Sequence, residues 1–371
     1  MKNLFTALFF TAILFISNSL INNTANACTD VRVIAKDGSV LVSRSMEFGA
    51  AMDSRLVMRP RGSAFQSPAP DGPSGKSWTG KYGFVYLDGL GIDCVVDGMN
   101  EAGLGFGALY LPGFAKYETV GQGMNEKALS NLQLGAWVLS QYSTVDEVRA
   151  SLTEITVWGE LLSVFGNDFV PLHYVIHDSF GSSIVLEWIE GKLTVYENTV
   201  GVMTNSPSYE WHMINLRNYI SLSPDNSNPV TVGGVTYPAN GQGSGLFGMP
   251  GDPTPPSRFV QTVFALTASV TPKDATEALV LGQKLMNRVD LPNGLARDPK
   301  TGDSDITQWA VFRGLTEKKY YYRTYDNMTL TAIDLSTTDF TPGAPVRRMS
   351  IAATTPTVNY IDQNSMQVIS K

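Results

Sequence analysis

Apolar and polar residues alternate in short runs over much of this chain, the period-two pattern of strands with one face in a core. After Cys28, Val31 and Val33 alternate with Arg32, and the turn signal Lys36-Asp37-Gly38 leads into a second run, Ser39 to Phe48. An Asp-Gly between two β-rich runs predicts a hairpin. Such a hairpin returns Arg44 and Glu47 to the neighbourhood of Cys28. A Gly-, Ser- and Pro-rich stretch, 61–76, is predicted as loop, and β-type runs follow at 82–97 and 105–111. The period then changes: Leu129, Leu132, Ala136 and Leu139 fall near helical spacing and predict a helix over 126–142. Thr144-Val145-Asp146-Glu147 is a capping-box signature for a second helix. A meander of strands is predicted over 173–177, 184–189 and 193–196, leading into 201–207. Residues 224–256 are dense in Gly, Pro, Asn and Ser and predict a long loop. Helices at 256–269 and 273–289 and β runs at 307–312, 319–325 and 330–334 complete the chain. With no internal repeat and no linker, this order predicts one α+β layered domain.

The first 27 residues depart from that pattern. Met1-Lys2-Asn3, an apolar run at 4–16, an Asn-rich neck and Ala25-Asn26-Ala27 follow the plan of a secretory signal peptide. The apolar run is too short to span a bilayer comfortably. Cleavage after Ala27 is therefore expected, leaving 28–371 as a single exported domain, periplasmic or secreted. Cys28 would then carry a thiol and a free α-amine on one residue. The amine's ordinary pKa of about 7.7–8 lets it take the thiol proton near neutral pH and return it later. Two other readings of a cysteine at such a junction stay open, a lipid-acylation site and an ordinary residue. The lipoprotein pattern wants Leu or a similar residue three before the cysteine, where Ala25 stands.

Composition narrows the partners. The formal charge is −7, with 27 Lys and Arg against 34 Asp and Glu, and no basic cluster stands out. That argues against nucleic acid and against an anionic membrane surface. No second long apolar stretch follows the first, so no membrane association is expected after cleavage. The two cysteines, Cys28 and Cys94, permit a disulfide in an exported protein. Cys94 sits in a strand-like run, however, where a small buried thiol is the commoner state. His173, His177 and His212 lack a metal-ligand spacing and are expected to be structural. The Gly-rich segment 241–251 lacks a phosphate-loop pattern.

Seven pieces, in order, carry a likeness. They are Cys28-Thr29; Ser43-Arg44-Ser45-Met46-Glu47-Phe48; Asp97-Gly98-Met99-Asn100-Glu101-Ala102-Gly103-Leu104; Leu109-Tyr110-Leu111-Pro112; Met203-Thr204-Asn205-Ser206-Pro207; Pro250-Gly251-Asp252 with Ser257-Arg258-Phe259-Val260; and Lys319-Tyr320-Tyr321-Tyr322. On these the chain resembles the choloylglycine hydrolase family, the conjugated bile salt hydrolases and penicillin V acylases of the N-terminal-nucleophile hydrolase superfamily. The resemblance implies a four-layer αββα sandwich. It implies Cys28 as nucleophile and Arg44 as the cation beside the thiol. Glu47 stands where the family usually has Asp, the carboxylate that holds the α-amine. Asn205 matches the asparagine that helps hold the oxyanion, Arg258 the arginine of the Ser-Arg-Phe motif, and Tyr110 a second oxyanion-side position.

The implied chemistry is hydrolysis of a linear amide through an acyl-enzyme, needing no metal and no organic cofactor. The substrate is a small N-acyl amide, and the resemblance implies a homo-oligomer, dimer or tetramer. Met46 and Phe48 are expected to bind substrate, and Phe106, Tyr110, Met203, Trp211 and Met213 are candidates for the same apolar pocket. Tyr110 and the exported chain lean towards penicillin V acylase activity, including cleavage of N-acyl homoserine lactones, with conjugated bile salts as the alternative. Glu47 keeps open a reading from another class, a secreted or lipid-anchored binding protein that has lost catalysis.

Overall fold

The computed structural model describes residues 27–72, 74–299, 302–352 and 355–357. The segment read as a signal peptide lies outside the described residues except for Ala27. Two antiparallel sheets face each other. In the first the strands run in the order Val202–Met203, Cys28–Ile34, Val40–Phe48, Ser304–Gly314, Lys319–Thr324 and Thr331–Asp334, with Ala296–Arg297 paired to the fourth. The second runs Lys192–Glu197, Ser183–Ile189, Leu172–His177, Gly105–Tyr110, Ile92–Asn100, Phe84–Gly89, Arg55–Arg59 and Arg347–Ser350.

Helices α1 (Leu134–Gln141), α2 (Val145–Ser151), α3 (Tyr209–Asn215), α4 (Pro255–Ala268) and α5 (Ala275–Met286) complete the layers. α1 packs on strands of the second sheet, while α4 and α5 pack on Cys28–Ile34 and its neighbours in the first. The stacking is helix, sheet, sheet, helix, the αββα sandwich of the N-terminal-nucleophile hydrolases. One apolar cluster fills the space between the sheets and reaches α4 and α5; a second lies between the second sheet and α1 and α2. Covered on both faces, all nine residues of Val40–Phe48 are buried, including Ser43, Arg44, Ser45 and Glu47. Charges inside a strand with no solvent face are costly unless paired, so this strand marks the site.

Local chemistry explains most of these elements. The turn after Cys28–Ile34 uses Gly38 at φ +88°, with Asp37 Oδ1 accepting from the Ser39 amide at 2.9 Å. α2 carries the full capping box, Thr144 with Glu147. α4 opens on Thr254 with proline in its first turn, and α5 on Asp274, whose side chain accepts from Glu277 N.

Three expectations are corrected. The helix predicted over 126–142 begins only at Leu134, because Ala128–Ser130 pairs in parallel with Thr156–Trp158. Leu129 is buried as a strand residue, and its spacing to Leu132 imitated a helix. The stretch 61–76 contains Ala64–Gln66, paired with Ser77–Thr79. The stretch 224–256 contains an exposed hairpin, Val230–Val232 with Val235–Tyr237. Helix α3 and the edge strand Arg347–Ser350 were not foreseen, being too short to set a period.

Candidate active site

The hairpin sets the geometry. Cys28 lies opposite Met46 and Asp30 opposite Arg44. Because side chains alternate along a strand, these four share one face, and it looks into the layer between the sheets. There the Arg44 guanidinium donates to the carbonyls of Val96 and Ala108 from the second sheet and pairs with Asp97 Oδ2 at 3.3 Å. Its Nη2 stands 3.7 Å from Cys28 Sγ, and its carbon lies 5.5 Å from the centre of the Trp309 ring. Met46 Sδ is 3.7 Å from the same sulfur.

The main-chain nitrogen of Cys28 donates to Asn205 Oδ1. Here that nitrogen is the peptide amide after Ala27, and it marks the position of the α-amine that cleavage would release. Asn205 is fixed from three further directions. Its Nδ2 donates to Tyr110 O at 2.8 Å, Arg258 Nη2 donates to its Oδ1 at 3.1 Å, and His212 Nε2 meets its carbonyl at 2.8 Å. Burial pushes His212 down to about 4, so the ring is neutral and donates there. Arg258, on the first turns of α4, also donates to Cys28 O at 2.6 Å, to Thr29 Oγ1, and through Nε to Pro253 O at 2.9 Å.

Glu47 departs from its expected place. Its Oε1 accepts from Thr307 Oγ1 at 2.9 Å, and among the described residues its buried Oε2 meets no hydrogen-bond donor. Among the described residues no hydrogen bond joins Glu47 to the Cys28 nitrogen; Asn205 occupies that position. Alternation puts Glu47 on the strand face opposite Met46, and the bulge between the two in the pairing with Ser304–Gly314 accompanies the change of direction. Burial raises its carboxyl to about 7, against the pull of Arg258.

Cys28 opens into a cleft of about 690 Å³. Met46, Phe48 and Tyr110, three of the pocket candidates, border it, together with Glu47, Met52, Ile92, Val95, Leu132, Phe165, Val170 and Leu172. The walls are almost wholly apolar. Tyr110 is half-buried, and the contact that binds it to Asn205 is its carbonyl. Of the other pocket candidates, Phe106 and Met203 are fully in the cores, Trp211 is exposed and Met213 packs on the first core; none borders the cleft. Cys94 is free and lies in a strand as expected, but it is half-buried at the cleft wall, its thiol pushed up to about 12 by burial. None of residues 224–256 lines the cleft.

Sequence reasoning missed Thr29, His212, Asp97, Arg313 and Asp30 around this centre. Some signal was present: Asp97 heads one of the quoted motifs and Thr29 belongs to another, while Arg313 lies one residue past the run predicted at 307–312. Among the described residues there is no cluster of three or more His, Cys, Asp or Glu arranged for a metal ion. No described helix is long and apolar enough to cross a membrane.

The fold and this chemistry define an enzyme that hydrolyses carbon–nitrogen bonds in linear amides. Residues 28–347 match the linear amide C–N hydrolases of the choloylglycine hydrolase family, and the chain belongs to that family. It is 32% identical over 315 residues to the bile salt hydrolase/transferase of Clostridium perfringens, covering 83% of this chain and 92% of that one. A mutant conjugated bile acid hydrolase from the same organism superposes with a TM-score of 0.79 at 30% identity, covering 90% of this chain and all of the other. The penicillin V acylase of Agrobacterium tumefaciens shares the fold, with a TM-score of 0.71 at 23% identity over 88% of this chain and 92% of that one.

Proposed function

We propose that the chain is exported, cut after Ala27, and works as an N-terminal cysteine amidohydrolase on small N-acyl amides with a bulky apolar acyl group. One observation carries this reading: a single residue at the head of a strand has its sulfur 3.7 Å from a buried guanidinium and its nitrogen on Asn205, beside an apolar cleft. The released α-amine takes the thiol proton and the sulfur attacks the amide carbonyl. Asn205 Nδ2, whose second hydrogen is free of Tyr110, stabilises the oxyanion. The amine then protonates the leaving nitrogen, and water cleaves the acyl-enzyme. Arg258 holds the Cys28 carbonyl and Asn205 in one grip, which keeps nucleophile and oxyanion donor in register.

Conjugated bile salts are the first substrate class to assay. The long apolar cleft suits a rigid apolar skeleton, and the similarity to bile salt hydrolase runs over most of the chain. Phenoxyacetyl amides and N-acyl homoserine lactones form the second class, favoured by Tyr110 at the cleft wall. Glycocholate, penicillin V and a long-chain acyl lactone assayed side by side decide between them. Cys28→Ala is expected to lower kcat roughly 10⁴-fold or more on the preferred substrate with the fold intact. Turnover close to wild type would remove Cys28 as the nucleophile.

A further inference from the structure

Cys28 Sγ is one end of a row of charges that crosses the layer between the sheets. Arg44 pairs with Asp97 at 3.3 Å, Asp97 with Arg313 at 3.4 Å, Arg313 with Asp30 at 2.5 Å, and Asp30 with His177 at 2.8 Å. Tyr320 Oη donates to the remaining oxygen of Asp97 at 3.0 Å, and Arg313 Nη1 donates to Phe106 O at 2.8 Å. All six side chains are buried. They come from both sheets: Asp30, Arg44, Arg313 and Tyr320 from four neighbouring strands of one, Asp97 and His177 from the other.

We propose that this row is a positioning device for the amide hydrolysis, in which Arg313, Asp30 and Tyr320 fix Asp97 and so hold the Arg44 guanidinium at the Cys28 thiol. The inference rests on the reading of Cys28 as nucleophile. Two arginines face two carboxylates, and burial pushes His177 down, which keeps its ring neutral and the row balanced. Asp97 is the weak link. Burial raises its carboxyl although Arg313 and Arg44 oppose it, and the Tyr320 hydroxyl adds a further hydrogen bond to its ionised form. A protonated Asp97 would leave Arg44 and Arg313 as like charges without the carboxylate between them. Asp30, by contrast, is held below the usual carboxylate range: His177, Arg313 and Arg44 together outweigh the desolvation.

A purely structural role predicts something different. Buried ion pairs are often replaceable by well-packed apolar residues without loss of stability, so a row kept only to join the sheets has no reason to end on the sulfur. Among the described residues no hydrogen bond or ion pair joins Arg258 of α4 or Glu47 of the neighbouring strand, the other charges beside Cys28, to Tyr320 or Arg313.

Tyr320→Phe tests this, since it removes one hydroxyl and leaves the ring and every charge. On the preferred amide substrate its kcat is expected to fall about tenfold with KM changed less than about twofold. The pH midpoint for alkylation of Cys28 by iodoacetamide is expected to rise by about half a unit or more. Arg313→Lys, which keeps the charge but loses the two-pronged geometry, is expected to shift both readouts the same way and serves if Tyr320→Phe does not fold. A lower melting temperature with unchanged kcat and unchanged alkylation midpoint in either folded variant overturns the proposal. Turnover surviving in Cys28→Ala would instead overturn the nucleophile itself, so the two readings fail separately.

Discussion

Glu47 is a side chain that burial makes costly to ionise. Burial raises it from 4.5 to about 7, and Asp305, on which the Arg258 charge also pulls, is raised by burial from 3.8 to about 7. Each binds its proton more tightly in the folded chain than in the unfolded one. Each therefore contributes stability that is fully present below its unfolded value and is lost as pH rises through about 7. His212, pushed down to about 4 by burial, has the opposite sign, its contribution complete above 6.5 and lost as pH falls through about 4. Between pH 6.5 and 8.5, of these three groups, only the carboxylates change. The melting temperature of the wild type is expected to fall across that window, about half as steeply in Glu47→Gln, and least in Glu47→Gln/Asp305→Asn. Melts at constant ionic strength measure this. Equal slopes in all three proteins would mean that Glu47 and Asp305 titrate as ordinary carboxylates.

Helix α5 shows what an element needs beyond its own sequence. Its cap is Asp274, whose side chain accepts from Glu277 N at 2.9 Å, one residue inside the start predicted at 273. Its one glycine was not legible as a contact. A Cβ at Gly282 would stand 2.3 Å from Ser43 Oγ and 2.7 Å from Leu41 Cδ2, both on the strand that carries Arg44. Gly282→Ala gains about 1 kcal/mol of helix propensity and pays about 1–3 kcal/mol for overpacking a buried contact. Ser43, Leu41 and Phe312 are buried and have little room to turn away, so a net loss of stability is expected, with a lower kcat where the strand that carries Arg44 shifts. Asp274→Ala should cost about 1 kcal/mol and leave kcat unchanged. Urea unfolding and kinetics on both variants check the pair; a more stable and fully active Gly282→Ala would show that the helix lifts freely. The same limit explains the misread helix at 126–142. Leu129 and Leu132 fit a helical face, but the partner that claimed Ala128–Ser130 is a strand some 28 residues later, and no local period reports it.

At the scale of the whole molecule, the layers were legible and their pairing was not. The hairpin from Cys28 to Phe48 follows from alternation and one Asp-Gly turn, whereas its neighbour Ser304–Gly314 comes from the far end of the chain. That distant strand supplies Thr307 to Glu47 and Trp309 to Arg44, which is why these supports could not be read locally. On the proposed reading Ala27 is the residue removed before Cys28; it is 4% exposed, and its carbonyl accepts from the Glu47 amide at 2.8 Å. Its peptide bond leaves the Cys28 nitrogen an amide, with no basic lone pair to receive the thiol proton. On that reading the sandwich, the cleft and the Arg44 contact are expected to form without cleavage, and only the base to require it. Two forms produced without residues 1–26 separate these demands, one retaining Ala27 and one beginning at Cys28. Both are expected to melt at similar temperatures, bind a substrate analogue with similar affinity and be alkylated at Cys28. Turnover should differ by roughly 10³-fold or more in favour of the form that begins at Cys28. Comparable kcat values, with N-termini verified by mass spectrometry, would place the base elsewhere, and Glu47 with its titration near 7 would be the first side chain to examine.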